Sequence, residues 1–125
     1  MERWQVDSTI DAVSDIYEAV AKCYFSGNDL DKSKSLEVLV WEKLPRFMTQ
    51  MNRRLKNKRY IVGQEMTIAD FALGGFFLQT VVNESSPHNE YFLAELERHE
   101  NCIAFVKHFH SDNLSYIENM TSSFF

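Results

Sequence analysis

Tyr60-Ile61-Val62-Gly63-Gln64-Glu65-Met66-Thr67-Ile68-Ala69-Asp70-Phe71 is the stretch on which the reading of the fold turns. Its first half is short and apolar, with a glycine that can take a positive φ, and reads as a tight, partly buried connection. Its second half carries helix-start chemistry. Thr67 as N-cap accepts from the Asp70 amide while the Asp70 carboxylate reaches back to the Thr67 amide, a capping box with Asp in place of the commoner Glu. Met66 and Phe71 flank the box as a hydrophobic staple. From Ile68 to Leu78 Asp70 is the one ionisable residue, so this helix is apolar on every side and belongs at the centre of a bundle. Gly74-Gly75 within it costs about 1 kcal/mol per residue relative to Ala, a loss that makes sense where another helix approaches closely.

Working outward, Lys34 to Lys56 places Leu36, Val40, Leu44, Phe47, Met51 and Leu55 on one helical stripe. Pro45 removes a backbone donor and crowds the carbonyl four residues back, which predicts a kink rather than two separate helices. Arg53, Arg54, Lys56, Lys58 and Arg59 crowd the end of this helix, where cations suit exposed carbonyls. Upstream, Glu2 to Phe25 repeats Val6, Ile10, Val13, Tyr17, Val20 and Tyr24 on one face, until Ser26-Gly27-Asn28-Asp29 stops it with turn chemistry. Downstream, Ser85-Ser86-Pro87 breaks the chain before two shorter amphipathic helices. These run from about Asn89 to His99 (Phe92, Leu93, Leu96) and from Asn101 to Phe109 (Ile103, Val106, Phe109). The tail carries Leu114, Tyr116, Ile117, Phe124 and Phe125 and is either docked by them or frayed. The expected architecture is all-α, five to six helices around a buried central helix, with one domain over residues 1–125.

Composition supports this and excludes several classes of function. At 45% hydrophobic residues, with ten Phe, five Tyr and two Trp, the chain can fill a dense core and is no candidate for disorder. Four Gly and two Pro are too few for a many-turned β protein. A net charge of −5 argues against nucleic acid or an anionic membrane surface as partner. The stretch Met1 to Asp7 has no apolar core of a secretory signal, and no apolar run is long enough to span a bilayer. The N-x-[ST] triplets at Asn83, Asn113 and Asn119 are then accidents of composition. Cys23 and Cys102 lie far apart and read as two buried thiols in a reducing cytoplasm. His108 and His110 diverge round a helix, and His99 with Cys102 supplies two ligands where zinc needs more, so no metal is expected. No glycine-rich phosphate loop, nucleophile elbow or paired catalytic carboxylates can be read.

The Tyr60 to Phe71 stretch resembles the signature [FY]-[IL]-x-G-x-x-x-T-x-A-D-[FY] of the cytosolic glutathione transferases, with the spacing intact. Lys43-Leu44-Pro45-Arg46-Phe47 resembles the Leu-Pro segment of the family's C-terminal domain, and Arg3-Trp4-Gln5-Val6-Asp7 the start of that domain's first helix. The likeness covers essentially the whole chain, most closely its first 82 residues. It implies the helical C-terminal domain of a sigma, pi or alpha-like class, with Gly63, Thr67 and Asp70 in structural roles. The signature speaks for folding rather than catalysis. Domains of similar outline occur in translation elongation factor subunits, some aminoacyl-tRNA synthetases and chloride-channel-like proteins, where they serve mainly as assembly surfaces.

In the family, glutathione is held and activated by a thioredoxin-like N-terminal domain with a catalytic Tyr, Ser or Cys. This sequence begins where that domain would have ended, so the resemblance implies no catalytic residue and no cofactor for this chain alone, and glutathione only with that domain supplied. Asp7, Asp11 and Asp15 repeat every four residues as an acidic stripe. In the resembled classes an acidic residue of this helix reaches across a dimer to the α-amino group of the neighbour's glutathione. Asp15 is the position similar to it, and a solvated helix face is the alternative. The resemblance also implies Tyr17, Val20 and Tyr24 as candidate walls of a substrate pocket, against plain core packing. Three functions follow. The first is a non-catalytic module for protein–protein interaction or assembly, with a protein partner or a homodimer. The second is the substrate-binding and dimer-forming half of a transferase, active only when joined to a thioredoxin-like domain. The third is a carrier of an apolar small molecule. Apolar residues of the first helix that face nothing, Trp4, Tyr24 and Phe25 above all, would point to a partner.

Overall fold

The computed structural model describes residues 2–25 and 27–114, so Tyr116, Ile117, Asn119, Phe124 and Phe125 lie outside the described residues. The fold is all-helical: α1 (Glu2–Phe25), α2 (Asp29–Val38), a π turn (Leu39–Lys43), α3 (Leu44–Arg54), α4 (Ile68–Phe76), a second π turn (Phe77–Val81), α5 (Asn89–Leu96) and α6 (Glu100–Asp112). Between α3 and α4 the chain makes two isolated bridges, Tyr60 with Gly63 and Val62 with Glu65. Gly63 takes φ +83° there, a conformation that an L side chain would strain.

The expected capping box is present at the start of α4, and Asp70 does more than cap. Its Oδ2 accepts from the Thr67 amide at 2.8 Å and from the Thr67 hydroxyl at 3.2 Å, while Oδ1 accepts from the Ile61 amide at 2.9 Å. One fully buried carboxylate therefore fastens the helix start to the connection that precedes it. Beyond it Ala69, Leu73, Phe76, Phe77 and Val81 are sealed from solvent. Phe76 meets Phe47 and Tyr17 edge-on, each at 5.3 Å between ring centroids, and Phe92 at 6.5 Å.

Burial of α4 on every side does not hold at its first turn, where Ile68 is 67% and Phe71 43% exposed. Phe71 turns toward Phe109, edge to face at 5.9 Å. The two glycines also differ. A Cβ on Gly74 would stand 2.5 Å from the Phe109 ring, whereas nothing lies within 4 Å of one on Gly75. Close helix approach thus accounts for the first glycine and not the second.

α1 keeps its expected limits, but its buried arc is Thr9, Val13, Ile16, Ala19, Val20 and Cys23. Val6, Ile10 and Tyr24 sit at the margin of that arc and Tyr17 beyond it. The reason is that α1 is flanked by α2 on one side and α4 on the other, so the buried arc is broad and turned away from the stripe a single neighbour would impose. The hairpin from α1 into α3 is antiparallel. Arg54 near the end of α3 donates to the buried Thr9 hydroxyl at 2.8 Å and lies over the Trp4 ring at 5.8 Å.

The second helical rod starts at Asp29 rather than Lys34. Asn28 caps it, accepting from the Asp31 amide at 2.8 Å, and Asp29 and Asp31 complement the positive end of the helix dipole. Helical turns then run on past Pro45. In the widened turn before it the Leu44 amide bonds back to the Leu39 carbonyl, which eases the crowding at the proline ring.

α6 is held by side chains remote in sequence. Asn52 caps its start, with Oδ1 accepting from the Asn101 amide at 2.9 Å and from the Cys102 amide at 3.3 Å, while the Asn101 side chain donates to the Asn52 carbonyl at 2.9 Å. At its other end Asp112 accepts from Arg59 Nη2 at 2.7 and 2.9 Å, from Arg59 Nε at 3.1 Å, and from the Tyr60 hydroxyl. Arg59 first and Tyr60 second hold the Asp112 carboxyl below its ordinary 3.8. Because the folded value is the lower one, the clasp contributes stability above the unfolded pKa and loses it as pH falls through the folded one. Burial first, then the bond to Asp112, raises the Tyr60 hydroxyl above its ordinary 10.0, so its contribution is present below that value and fades as pH rises past it. In thermal melts, Asp112→Asn should therefore flatten the loss of Tm below about pH 4 seen in the parent chain. Parallel acid limbs in the two proteins would count against the clasp.

Candidate functional site

A cleft of about 390 Å³ opens between α1 and α3. Asp15 and Glu18 line it from α1, and Lys43, Arg46 and Gln50 line it from the π turn and α3, with Ile16 and Phe47 among its apolar residues. The antiparallel hairpin brings these residues together. With Arg54 level with Thr9, the middle of α1 lies opposite the start of α3. Lys43, Arg46 and Gln50 escape a reading focused on Leu-Pro, although their spacing of three and then four marks one helix face.

Asp7, Asp11 and Asp15 are exposed along α1, and Asp15 alone of the three lines the cleft. The candidate wall residues are dispersed. Tyr17 is 38% exposed and lies edge-on to Phe76, while Val20 is part of the core. Tyr24 donates through its hydroxyl to the Pro87 carbonyl at 3.3 Å and stacks on the His88 ring at 6.1 Å, within 3° of parallel. None of the three lines the cleft that Asp15 enters. Gly63, Thr67 and Asp70 stand at the α4 junction, away from it.

Two tyrosine hydroxyls and both thiols are shifted toward their protonated forms. Burial pushes the Tyr17 hydroxyl up, and it pushes the Tyr24 hydroxyl up with a smaller contribution from Cys23. Burial also raises the Cys23 thiol, against the opposing charge of Lys43, and drives the Cys102 thiol up to about 12. His99 is engaged by Glu95, Nε2 to Oε2 at 2.8 Å. Among the described residues no group of three or more His, Cys, Asp or Glu is placed to hold a metal ion, and no helix is long and apolar enough to cross a membrane. The cleft can receive charged groups of either sign, and among the described residues no hydroxyl or thiol lines it.

A bundle of this form, built round a central helix whose start is fastened by Thr67 and Asp70, has the features of a transferase-type helical domain. The chain belongs to the glutathione transferase family through its C-terminal domain: residues 14–117 match the family described as glutathione S-transferase, C-terminal domain. No curated protein and no solved structure matches the chain.

Proposed function

We propose that this domain is a non-catalytic module for interaction or assembly, with a protein partner or a second copy covering the outer side of α1, α2 and α4. The observation that supports it is where large apolar side chains meet solvent. Among the described residues these are Trp4, Tyr17 and Phe25 on α1, Leu30 and Val38 on α2, Trp41 in the following π turn, and Ile68 and Phe71 on α4, against Tyr91 and Leu114 elsewhere. Phe25 is 84% and Trp41 77% exposed. Scattered singly, such residues are unremarkable. Gathered on helices that pack against one another, with aromatic anchors among them, they suit an interface. The upward-shifted tyrosines and thiols support the non-catalytic part.

Sedimentation equilibrium of the purified chain, paired with titration by an apolar fluorescent dye, tests the reading. We expect self-association or saturable dye binding, with both reduced in the Phe25→Ser, Trp41→Ser double variant at unchanged helicity. A parent chain that neither associates nor binds dye beyond the level of the variant would rule it out.

A second reading, the helical half of a glutathione transferase, is favoured by Asp15 entering the cleft on the helix where the family places its cross-dimer acid. A thioredoxin-like domain of the family supplied in trans should then generate conjugation of a chlorodinitrobenzene electrophile, weakened by Asp15→Asn. Inactivity of the mixture leaves the assembly module. The charged lining of the cleft is poorly suited to an apolar carrier.

A further inference from the structure

The cleft continues toward the α1–α2 turn into a second recess of about 230 Å³. Ala19 and Lys22 of α1, Lys34, Ser35 and Val38 of α2, and Lys43 of the π turn line it. Two helices and a turn thus bring three lysines round one recess, and none of its lining residues is acidic. Asp15 and Glu18 line the adjoining cleft, which Lys22 and Lys43 also line, while Lys34 belongs to the recess alone. The side chains of Lys34 and Lys43 make no ion pair or hydrogen bond among the described residues.

This concentration runs against the sign of the whole molecule, whose net charge is −5. Like charges gathered round a concave surface repel one another and raise the local concentration of small anions. A lysine ammonium is a compact point charge with three donors, suited to phosphate oxygens approached from several directions. Val38 and Ala19 add an apolar wall on which a short organic group can rest. The small recess, in an acidic protein, does not suit a nucleic acid polymer.

We propose that this recess binds the phosphate dianion of a small molecule, free or as a monoester, between Lys22, Lys34 and Lys43. The site does not depend on the assembly reading: Val38 belongs to both, but the lysines that hold the anion lie outside the exposed apolar set. Amide chemical-shift titration of the full chain, at constant ionic strength, tests it with inorganic phosphate, glycerol phosphate and glycerol as probes. Either phosphate should give saturable shifts confined to the segments around residues 19–22, 34–38 and 43, and glycerol should give none. If glycerol phosphate is the tighter, the ligand is a monoester resting on Val38; if inorganic phosphate matches it, the ligand is the free anion.

Lys34→Gln and Lys43→Gln alter exposed side chains, so helicity should be kept while affinity drops about tenfold for each. Arg53→Gln, an exposed cation outside the recess, should leave affinity unchanged. Shifts that grow without saturating, or an equal loss in the Arg53 and lysine variants, would reduce the effect to diffuse attraction and overturn the site.

Discussion

Asp70→Ala should lower the stability of the fold by about 3–5 kcal/mol in urea unfolding followed by circular dichroism. The loss has two parts. Removal of a helix cap costs about 1 kcal/mol. Stranding a buried amide costs about 1–3 kcal/mol more, and here the amides of Ile61 and Thr67 both lose their acceptor. Asp70→Asn keeps one oxygen but turns an NH2 group toward one of those two donors, so it should fall between, at about 2 kcal/mol. If the alanine variant lost less than about 1 kcal/mol, the value of an ordinary exposed cap, Asp70 would not be the fastening point described above.

The second large effect is a contrast between neighbours. Gly74→Ala should destabilise the protein, while Gly75→Ala should stabilise it by up to about 1 kcal/mol, the helix preference of Ala over Gly. At Gly74 that gain is opposed by the Phe109 ring 2.5 Å from the new methyl. The ring has little room to retreat, being packed between Phe71 at 5.9 Å and Phe105 at 5.8 Å. Overpacking of this kind costs about 1–3 kcal/mol and outweighs the preference. Phe109→Leu in the Gly74→Ala background should recover part of the loss, a coupling that a simple helix-propensity effect would not give.

Local chemistry made much of this fold readable. The end of the first helix at Phe25, the capping box at Thr67 and Asp70 and the positive-φ glycine at position 63 each depend on a few adjacent residues, and all stand where spacing puts them. Features joining residues far apart in sequence were not readable. Nothing in Asn52 or Asn101 alone announces that one caps the helix of the other. Nothing in the basic run tells Arg54, which reaches Thr9, from Lys56, or Arg59, which reaches Asp112, from Lys58. An all-apolar α4 also does not disclose which side stays open, hence the surprise at Ile68 and Phe71.

The candidate site follows the same division. The exposure of Asp15 is a property of one helix and can be read from spacing. Its position opposite Arg46 is a property of the hairpin register and cannot. Tyr17, Val20 and Tyr24 share a face by spacing, yet that face straddles the margin of the buried arc, so one enters the core while the other two find partners on α4 and on the loop after Val81.

The two π turns bear on how this chain can vary in length. Each winds the chain one residue wider per turn than a regular helix, so losing one residue would return the turn to α geometry. At Phe77–Val81 no proline follows within the turn and Gln79 is exposed, so a shortening there need not remove a buried side chain. At Leu39–Lys43 it would press the Pro45 ring against the carbonyl that then lies four residues back, so a deletion there should be tolerated only together with replacement of the proline. Natural one-residue deletions in this domain should accordingly fall at the second turn freely and at the first only as a linked double change.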